Sequence, residues 1–329
     1  MLFRIDYLCG TKPASMSFES LGLSHNIIKS VKKLGFLKPF PIQEQTIPVI
    51  LAGKDLMGIA QTGSGKTACF VMPILEKLQN EEVKKDRNIQ ILVLAPTREL
   101  VIQIDEVFRA FTENLKREIR TMAVYGGVSI NPQMKGMFGV EILVATPGRL
   151  LDLIEHKALS ISQITNLVID EADKMFQLGF EEEMNKLFAM MPSKKQTVLF
   201  SATLNDKVEE IKKRLTINPV LVEIKAEEVN LDKITQLAYH VKEERKGPFL
   251  RYLIKEKNIK QALVFTSSTR SADNLAEKLK KNKIPATAVH GKKSQGSRTG
   301  NLHDFKEGGT QILVATDLIG RGIHIDSLE

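Results

Sequence analysis

Short β-branched and aliphatic runs alternate with longer helical patterns along most of this 329-residue chain. Strands that read as continuous apolar runs are typical of parallel sheets buried on both faces. Their alternation with helices predicts βαβ units, and hence an α/β fold. The candidate strands are Leu56–Ala60, Ile89–Ala95, Arg120–Tyr125, Val140–Ala145, Leu167–Asp170, Thr197–Ser201, Gln261–Thr266, Ala286–His290 and Gln311–Ala315.

The alternation pauses at Ile224–Ile234, a polar stretch without a clean period that we interpret as a linker. The length suits two domains, each able to bury its own core. We therefore predict tandem parallel-sheet domains at residues 16–223 and 235–329, the second of them short. The opening MLFRIDYLCG is no signal peptide, because Arg4 and Asp6 interrupt its apolar stretch. We expect residues 1–15 to be extraneous or disordered.

Composition bounds the class of partner and the compartment. The net charge of +8 and the pI of about 9.2 favour a polyanionic partner, although this signal is weak by itself. No apolar run is long enough to cross a membrane. The two cysteines, Cys9 and Cys69, have no metal-binding or disulfide spacing, which predicts a reducing cytoplasm.

The stretch AQTGSGKT, residues Ala60–Thr67, follows a candidate strand and has the pattern of a phosphate-binding loop. Gly63 and Gly65 allow backbone N–H groups to turn toward phosphate oxygens, and the next helix directs its positive end to the same place. Lys66 would reach the β- and γ-phosphates, and Thr67 would offer a hydroxyl to Mg²⁺. The first position of the general pattern is alanine here instead of glycine.

Acidic residues follow the candidate strand Leu167–Asp170, where burial would be costly without a positive partner. By itself, this acidic stretch would more often be the solvated first turn of a helix. Downstream of a phosphate-binding loop, Asp170 instead becomes a candidate Mg²⁺ ligand, and Glu171 a candidate base for the attacking water. Mg²⁺ and Lys66 would then supply the positive charge.

Nine sequence blocks, in order, resemble those of the DEAD-box ATP-dependent RNA helicases, most of all the bacterial RhlE-type members. Residues Asp170–Asp173 spell DEAD. GFLKPFPIQ ending at Gln43, with Phe18 upstream, resembles the Q motif that reads adenine. The other similar blocks are PTREL from Pro96, Gly126–Gly127, TPGR from Thr146, SAT from Ser201, LVFTSSTR from Leu263, HGKKSQGSR from His290 and LVATDLIGRG from Leu313.

The resemblance implies two RecA-like domains that use ATP and Mg²⁺ and bind RNA with little sequence preference. Implied catalytic residues are Lys66, Asp170, Glu171, Ser201 and Thr203, with Thr67 and Asp170 at the metal. Implied nucleotide-binding residues are Phe18, Gln43, Ala60, Gln61, Thr62, Gly63, Ser64, Gly65, Lys66 and Thr67. Implied RNA-binding residues are Pro96, Thr97, Arg98, Gly127, Thr146, Arg149, Arg270, Gly291 and Thr316.

Three departures from the family pattern bear on activity. Phe40 stands where the Q motif usually has threonine, which predicts looser adenine specificity. His324 replaces an aspartate that touches the ribose in the family. The sequence ends at Glu329, before the arginine-rich motif VI, and loss of such an arginine finger typically costs ~10³–10⁵ in hydrolysis rate. A fragment, an engineered truncation and a disrupted gene would all explain this ending.

The sequence thus predicts an ATP-dependent RNA helicase that couples RNA-stimulated ATP hydrolysis to local unwinding or remodelling. The alternative is a truncated helicase that binds ATP and RNA but hydrolyses little. A DNA helicase of related architecture is disfavoured, because its motifs would not carry Gln43 at this spacing. The sequence identifies no protein partner.

Overall fold

The computed structural model describes residues 17–61, 63–82, 86–224 and 235–316. They form two compact units on either side of residue 227, which we call the first and the second unit. The predicted N-terminal segment 1–15, Thr62 and all of the predicted linker except Ile224 lie outside the described residues. Among the described residues, no helix is long and apolar enough to cross a membrane.

The first unit contains a seven-stranded parallel sheet in the order β3-β4-β2-β5-β6-β1-β7. The sheet is parallel because consecutive strands are joined by helical crossovers. Its strands are β1 (Leu56–Ile59), β2 (Ile91–Leu94), β3 (Thr121–Val124), β4 (Ile142–Ala145), β5 (Asn166–Ile169), β6 (Gln196–Ser201) and β7 (Val220–Glu223).

The inner strands read as uninterrupted apolar runs because both of their faces are buried. In β2, Ile91 and Val93 lie in one hydrophobic cluster, whereas Leu92 and Leu94 lie in another. Successive strand residues point to opposite faces, so the two clusters occupy the two sides of the sheet. The edge strands β3 and β7 are only partly buried.

In the described part of the first unit, nine α-helices surround this sheet. Helix α3 begins at Lys66, near the end of the phosphate-binding loop, and helices α4 and α6 begin at Arg98 and Pro147, inside the PTREL and TPGR segments. The helices are α1 (His25–Lys33), α2 (Pro41–Leu51), α3 (Lys66–Leu78), α4 (Arg98–Thr112), α5 (Ile130–Lys135), α6 (Pro147–Glu155), α7 (Ala172–Gln177), α8 (Glu181–Met190) and α9 (Asp206–Leu215); a 3₁₀ helix at Phe18–Leu21 precedes them.

The second unit contains a three-stranded parallel sheet in the order β8-β10-β9. Helix α11 covers one face with an apolar stripe that includes Ala272, Ala276 and Leu279. The strands are β8 (Ala262–Thr266), β9 (Ala286–Val289) and β10 (Ile312–Thr316). The helices are α10 (Lys246–Glu256), α11 (Thr269–Lys281) and α12 (Gln295–Lys306), preceded by a 3₁₀ helix at Glu243–Arg245.

The α/β prediction is confirmed, and every predicted strand is present within two residues of its predicted ends. One strand was missed, namely β7, which pairs in parallel with β1. Its ladder continues into Ile224, whose N–H donates to the Ile59 carbonyl oxygen at 3.0 Å, so the first residue of the predicted linker belongs to the first unit.

Candidate active site and nucleic-acid interface

In a parallel sheet the carboxyl ends of all strands lie at one edge, and ligands bind outside that edge. The strand order of the first unit divides this edge into two halves. Strands β5, β6 and β1 are neighbours, and the DEAD, SAT and phosphate-loop residues follow them. Strands β3, β4 and β2 are also neighbours, and Gly127, TPGR and PTREL follow those.

The loop after β1 turns tightly into α3. Gly65 is the N-cap of α3, with φ of 83°, a backbone conformation that glycine adopts without strain. Lys66 is only 7% exposed, and its Nζ donates to the Ala60 carbonyl oxygen at 2.9 Å. Ser64 Oγ donates to the Gln61 carbonyl oxygen at 2.8 Å. The loop therefore closes on itself, with Lys66 directed back over its start.

Asp170 and Glu171 follow β5, the second neighbour of β1 in the sheet. Asp170 is 2% exposed, and burial raises the pKa of its carboxyl to about 6, although Lys66 counteracts this. Glu171 has left-handed backbone angles (φ 54°, ψ 48°), a strained conformation that costs of order 1–3 kcal/mol and clusters at functional sites. Lys174 Nζ lies 2.6 Å from Glu171 Oε1.

These groups suit a magnesium ion that is coordinated partly by the protein and partly by the phosphates of a bound nucleotide. Among the described residues, no group of three or more His, Cys, Asp or Glu side chains can hold a metal. Mg²⁺ is commonly bound through one or two carboxylates, water and substrate phosphates, so a single aspartate is sufficient. Burial is the main cause of the raised pKa of Asp170, so a bound cation would favour the ionised form of this carboxyl. Glu171 Oε2 is buried without a hydrogen-bond partner among the described residues.

The loop after β6 is hydrogen-bonded to the DEAD segment through Asp173. Thr203 Oγ1 donates to Asp173 Oδ2 at 3.1 Å, and the Ala202 N–H approaches Asp173 Oδ1 at 3.5 Å. Ser201 Oγ in turn donates to the Thr203 carbonyl oxygen at 2.7 Å. The two loops are therefore joined by side-chain hydrogen bonding. Asp173 was not among the predicted site residues; its place three residues after Asp170 was the available signal.

Gln43 joins the start of α2 to the phosphate-binding loop. Its Oε1 accepts from the Phe40 N–H at 3.0 Å, and its Nε2 donates to the Gly65 carbonyl oxygen at 3.1 Å. The side chain is fully buried. Phe18 is 3% exposed and packs edge-on against Phe36, with 6.2 Å between ring centroids. The aromatic ring beside Gly65 of the loop is that of Phe40, which is half exposed. Phe40 was predicted only to loosen adenine specificity.

The predicted RNA-binding residues of the first unit lie on the other half of the sheet edge. A Cβ on Gly127 would collide with the guanidinium of Arg98, so the absence of a side chain there allows the two segments to meet. Thr97 caps α4 by accepting from the Leu100 N–H at 3.3 Å. Arg149, 7% exposed, donates from Nη2 to the Val128 carbonyl oxygen at 2.8 Å. Pro96 and Thr146 lie at the starts of the same turns.

In the second unit, the three predicted RNA-binding residues all lie at or just beyond the carboxyl ends of strands. Arg270 is exposed in the first turn of α11, after β8, and Gly291 is exposed two residues after the end of β9. Thr316 ends β10 and is 6% exposed. Arg321 and His324 lie outside the described residues.

Two family models match the chain in sequence order. A DEAD/DEAH box helicase model matches residues 40–211, and a helicase conserved C-terminal domain model matches residues 245–329. The Streptococcus pneumoniae serotype 4 protein named DEAD-box ATP-dependent RNA helicase CshA is 41% identical over 314 residues, 95% of this chain and 59% of its own length. The CshA of Geobacillus kaustophilus is 38% identical over 313 residues, 95% of this chain and 66% of its own length.

Solved structures agree with the sequence matches. The yeast protein described as S. cerevisiae Dbp5 bound to RNA and ADP BeF3 is 31% identical, with a TM-score of 0.82 over 96% of this chain and 79% of that one. A DEAD box protein from the hyperthermophile Methanococcus jannaschii is 33% identical, with a TM-score of 0.59 over 95% and 83% of the two chains. Two tandem RecA-like domains are thereby confirmed.

The chain spans 59% of the length of the pneumococcal relative. The resemblance to RhlE-type members in particular stays a prediction, since the relatives named here are CshA proteins. The larger family is settled, because the first model alone covers more than half of the chain and its span contains the phosphate-binding loop and the Asp170–Asp173 segment. The chain belongs to the DEAD/DEAH box helicase family.

Proposed function

We propose that this protein is an ATP-dependent RNA helicase in which ATP hydrolysis drives local unwinding of RNA or remodelling of RNA–protein complexes. The observation that carries this proposal is the position of Lys66, Asp170 and Glu171 after β1 and β5, two parallel strands that flank β6, with Asp173 hydrogen-bonded to the SAT loop after β6. The names of the relatives, and the RNA and ADP BeF3 bound to the yeast neighbour, support the same activity.

The loop residues bind and orient the triphosphate. Backbone N–H groups at Gly63–Gly65 and the start of α3 face the phosphate oxygens, and Lys66 exchanges its contact with the Ala60 carbonyl oxygen for the β- and γ-phosphates. Mg²⁺, held by Thr67 and Asp170, would neutralise phosphate charge during transfer. Reading of adenine by Gln43, and a contribution from Phe18, stay predictions, as does the role of Thr62.

Glu171 would take a proton from the attacking water. Its Oε1 is held by Lys174, which leaves the buried Oε2 as the oxygen that can accept. The Thr203–Asp173 hydrogen bond then links the reaction centre to the loop after β6, which is the physical connection that coupling requires.

RNA would bind along the other half of the edge through its phosphates. Arginines, hydroxyls and glycine N–H groups contact phosphates, which carry no base identity, so little sequence preference is expected. A cytoplasmic location is supported by Cys69, a buried cysteine without a disulfide partner among the described residues.

The test measures RNA-stimulated ATPase, nucleotide binding and RNA binding in two variants. Glu171→Gln should bind ATP and RNA normally but stop hydrolysis, because the amide keeps the shape and removes the base. Lys66→Ala should lose nucleotide affinity while keeping its melting temperature. Glu182→Gln and Lys186→Ala, which change exposed residues of α8, are matched controls.

Turnover that survives Glu171→Gln would place water activation elsewhere, and unchanged ATP affinity in Lys66→Ala would refute the phosphate-loop assignment. The same assay decides the alternative prediction, in which this 329-residue chain binds ATP and RNA but hydrolyses little. Stimulation by DNA as strong as that by RNA would contradict RNA as the partner.

A further inference from the structure

The loop that follows β9 is a tight turn, with its two ends held and its tip exposed. The Lys293 N–H donates to the His290 carbonyl oxygen at 3.0 Å, which closes the turn. Gly291 and Lys292 form its tip, and both are exposed. Helix α12 begins two residues after Lys293, with Ser294 as its N-cap accepting from the Ser297 N–H at 3.3 Å.

Asp273, one turn into α11, holds both ends of this turn. Its Oδ2 accepts from His290 Nε2 at 3.0 Å, and its Oδ1 lies 2.8 Å from Lys293 Nζ. His290 is 2% exposed. Lys293 and then His290 lower the pKa of the Asp273 carboxyl, although burial opposes this, so it stays ionised at neutral pH. One carboxylate therefore fixes the buried histidine and engages the second lysine of the HGKKS sequence.

Lys292 differs from its neighbour in having no carboxylate partner. Among the described residues, no salt bridge or side-chain hydrogen bond involves Lys292, whereas Lys293 is paired with Asp273. The turn thus separates two adjacent lysines, one neutralised against α11 and one presented at the tip. An exposed lysine is most often only solvated. Whether Lys292 can bind a ligand therefore depends on where it lies in the fold.

That position is the carboxyl edge of the second sheet. Arg270, in the first turn of α11 after β8, is exposed at the same edge and likewise has no carboxylate partner among the described residues. The positive end of α12 follows directly after the turn and adds partial positive charge. The carboxylate of Asp273 is bonded to this turn, but its negative charge is already balanced by the ion pair with Lys293.

We propose that Lys292 binds an RNA phosphate, and that Asp273 is a positioning residue that reserves this contact for Lys292 by engaging Lys293. This inference rests on the proposed function, since RNA is the partner. It adds to the predicted contacts Arg270, Gly291 and Thr316 a charged residue of the HGKKSQGSR block that the resemblance does not name as an RNA contact. It also predicts unequal roles for two lysines that the sequence presents as equivalent.

The experiment measures affinity for a fluorescein-labelled oligouridylate of about ten nucleotides over a range of salt concentrations, with a non-hydrolysable ATP analogue and Mg²⁺ present. Each phosphate contact made by a lysine contributes about 0.7 to the slope of log K against log salt for single strands. Lys292→Gln should weaken binding several-fold and reduce the slope by about 0.7. Lys293→Gln, the matched control, should leave the slope unchanged.

Asp273→Asn tests the positioning role, because the amide keeps the shape but releases Lys293 from its ion pair. In that background, Lys293→Gln should reduce the slope by about 0.7, an effect that it lacks in the unaltered chain. Circular dichroism melting of each variant checks folding, and rescue of the slope by Lys292→Arg separates charge from structure.

Binding with an unchanged slope in Lys292→Gln would overturn the lysine assignment alone. Equal losses of slope in Lys292→Gln and Lys293→Gln would overturn the role of Asp273. Absence of RNA binding by the unaltered chain would overturn RNA as the partner, and the lysine assignment with it.

Discussion

At the scale of single residues, the candidate site contains a buried acid, Asp170, whose surroundings disfavour its negative charge. Asp170 is buried, and burial is the main cause of its raised pKa, which Lys66 opposes and Glu171 reinforces. Lys66 meanwhile donates to a backbone carbonyl oxygen, and Lys174 is engaged with Glu171. A cation bound with the nucleotide would therefore favour the ionised form of Asp170.

The raised pKa of Asp170 predicts that the stability of the nucleotide-free protein depends on pH. Burial raises the pKa of Asp170 to about 6, above the ordinary value of 3.8, so the folded state favours the protonated form. Protonation of Asp170 therefore stabilises the folded state. This contribution is fully present below about pH 4 and is lost as the pH rises through about 6. Asp170→Asn is always neutral at this position. Its free energy of unfolding should therefore rise relative to that of the parent by up to about 3 kcal/mol as the pH increases from about 4 to about 6.

The measurement is urea denaturation of the parent and Asp170→Asn at about pH 5 and about pH 8, with no nucleotide present. A stability difference that stays constant across this range would show that Asp170 is not the group responsible. Added ATP and Mg²⁺ should reverse the ranking at pH 8, because only the parent keeps the carboxylate ligand.

At the scale of elements, Gln43 joins the start of α2 to the loop before α3. Gln43 caps the start of α2 through Phe40 and supports the loop through Gly65. A Cβ on Gly65 would lie 2.6 Å from Gln43 Nε2 and 2.8 Å from Phe40 Cδ2, closer than real contacts allow. The glycine at this position is therefore required by a close approach as well as by its backbone angle.

Gly65→Ala and Gly53→Ala separate these two requirements. Both glycines have positive φ, of 83° and 74°, so alanine at either position should cost about 1–2 kcal/mol of stability. A Cβ on Gly53 meets nothing within 4 Å, whereas one on Gly65 displaces Gln43. Only Gly65→Ala should therefore also lose nucleotide affinity, measured by titration with a fluorescent ATP analogue. An equal loss in Gly53→Ala would attribute the effect to general instability.

At the scale of the whole molecule, each unit has hydrophobic cores of its own. The clusters on the two sides of the seven-stranded sheet draw all their residues from the first unit, and two smaller clusters draw theirs from the second. Unfolding is therefore not expected to be a single two-state event, and damage to one core should leave the other intact.

Two isoleucines in inner strands test this independence. Ile142 in β4 and Ile312 in β10 are both fully buried, and replacing either by alanine should cost about 2–5 kcal/mol. Ile312→Ala should lower one transition in scanning calorimetry and leave ATP binding by the first unit unchanged. Ile142→Ala should lower the transition that ATP and Mg²⁺ stabilise. A common downward shift of every transition by either variant would show that the units unfold together.

The sheet was largely predictable from sequence because its inner strands are buried on both faces, so that each reads as an apolar run. The missed strand β7 is an edge strand with an exposed end at Glu223, next to the polar stretch that follows Ile224. With one partner strand and partial burial, its four residues produce a weaker pattern than those of β2 or β4.

The amino-acid sequence is enough to identify the family and to predict which segments bind phosphate and metal, because such binding requires particular residues at short fixed spacings. Which distant segments meet becomes visible in the folded chain alone. The Asp173–Thr203 bond, the Gln43–Gly65 bond and the pairing of Asp273 with Lys293 each join segments at least 20 residues apart. Such contacts depend on strand order and helix placement, and local sequence patterns carry no record of either.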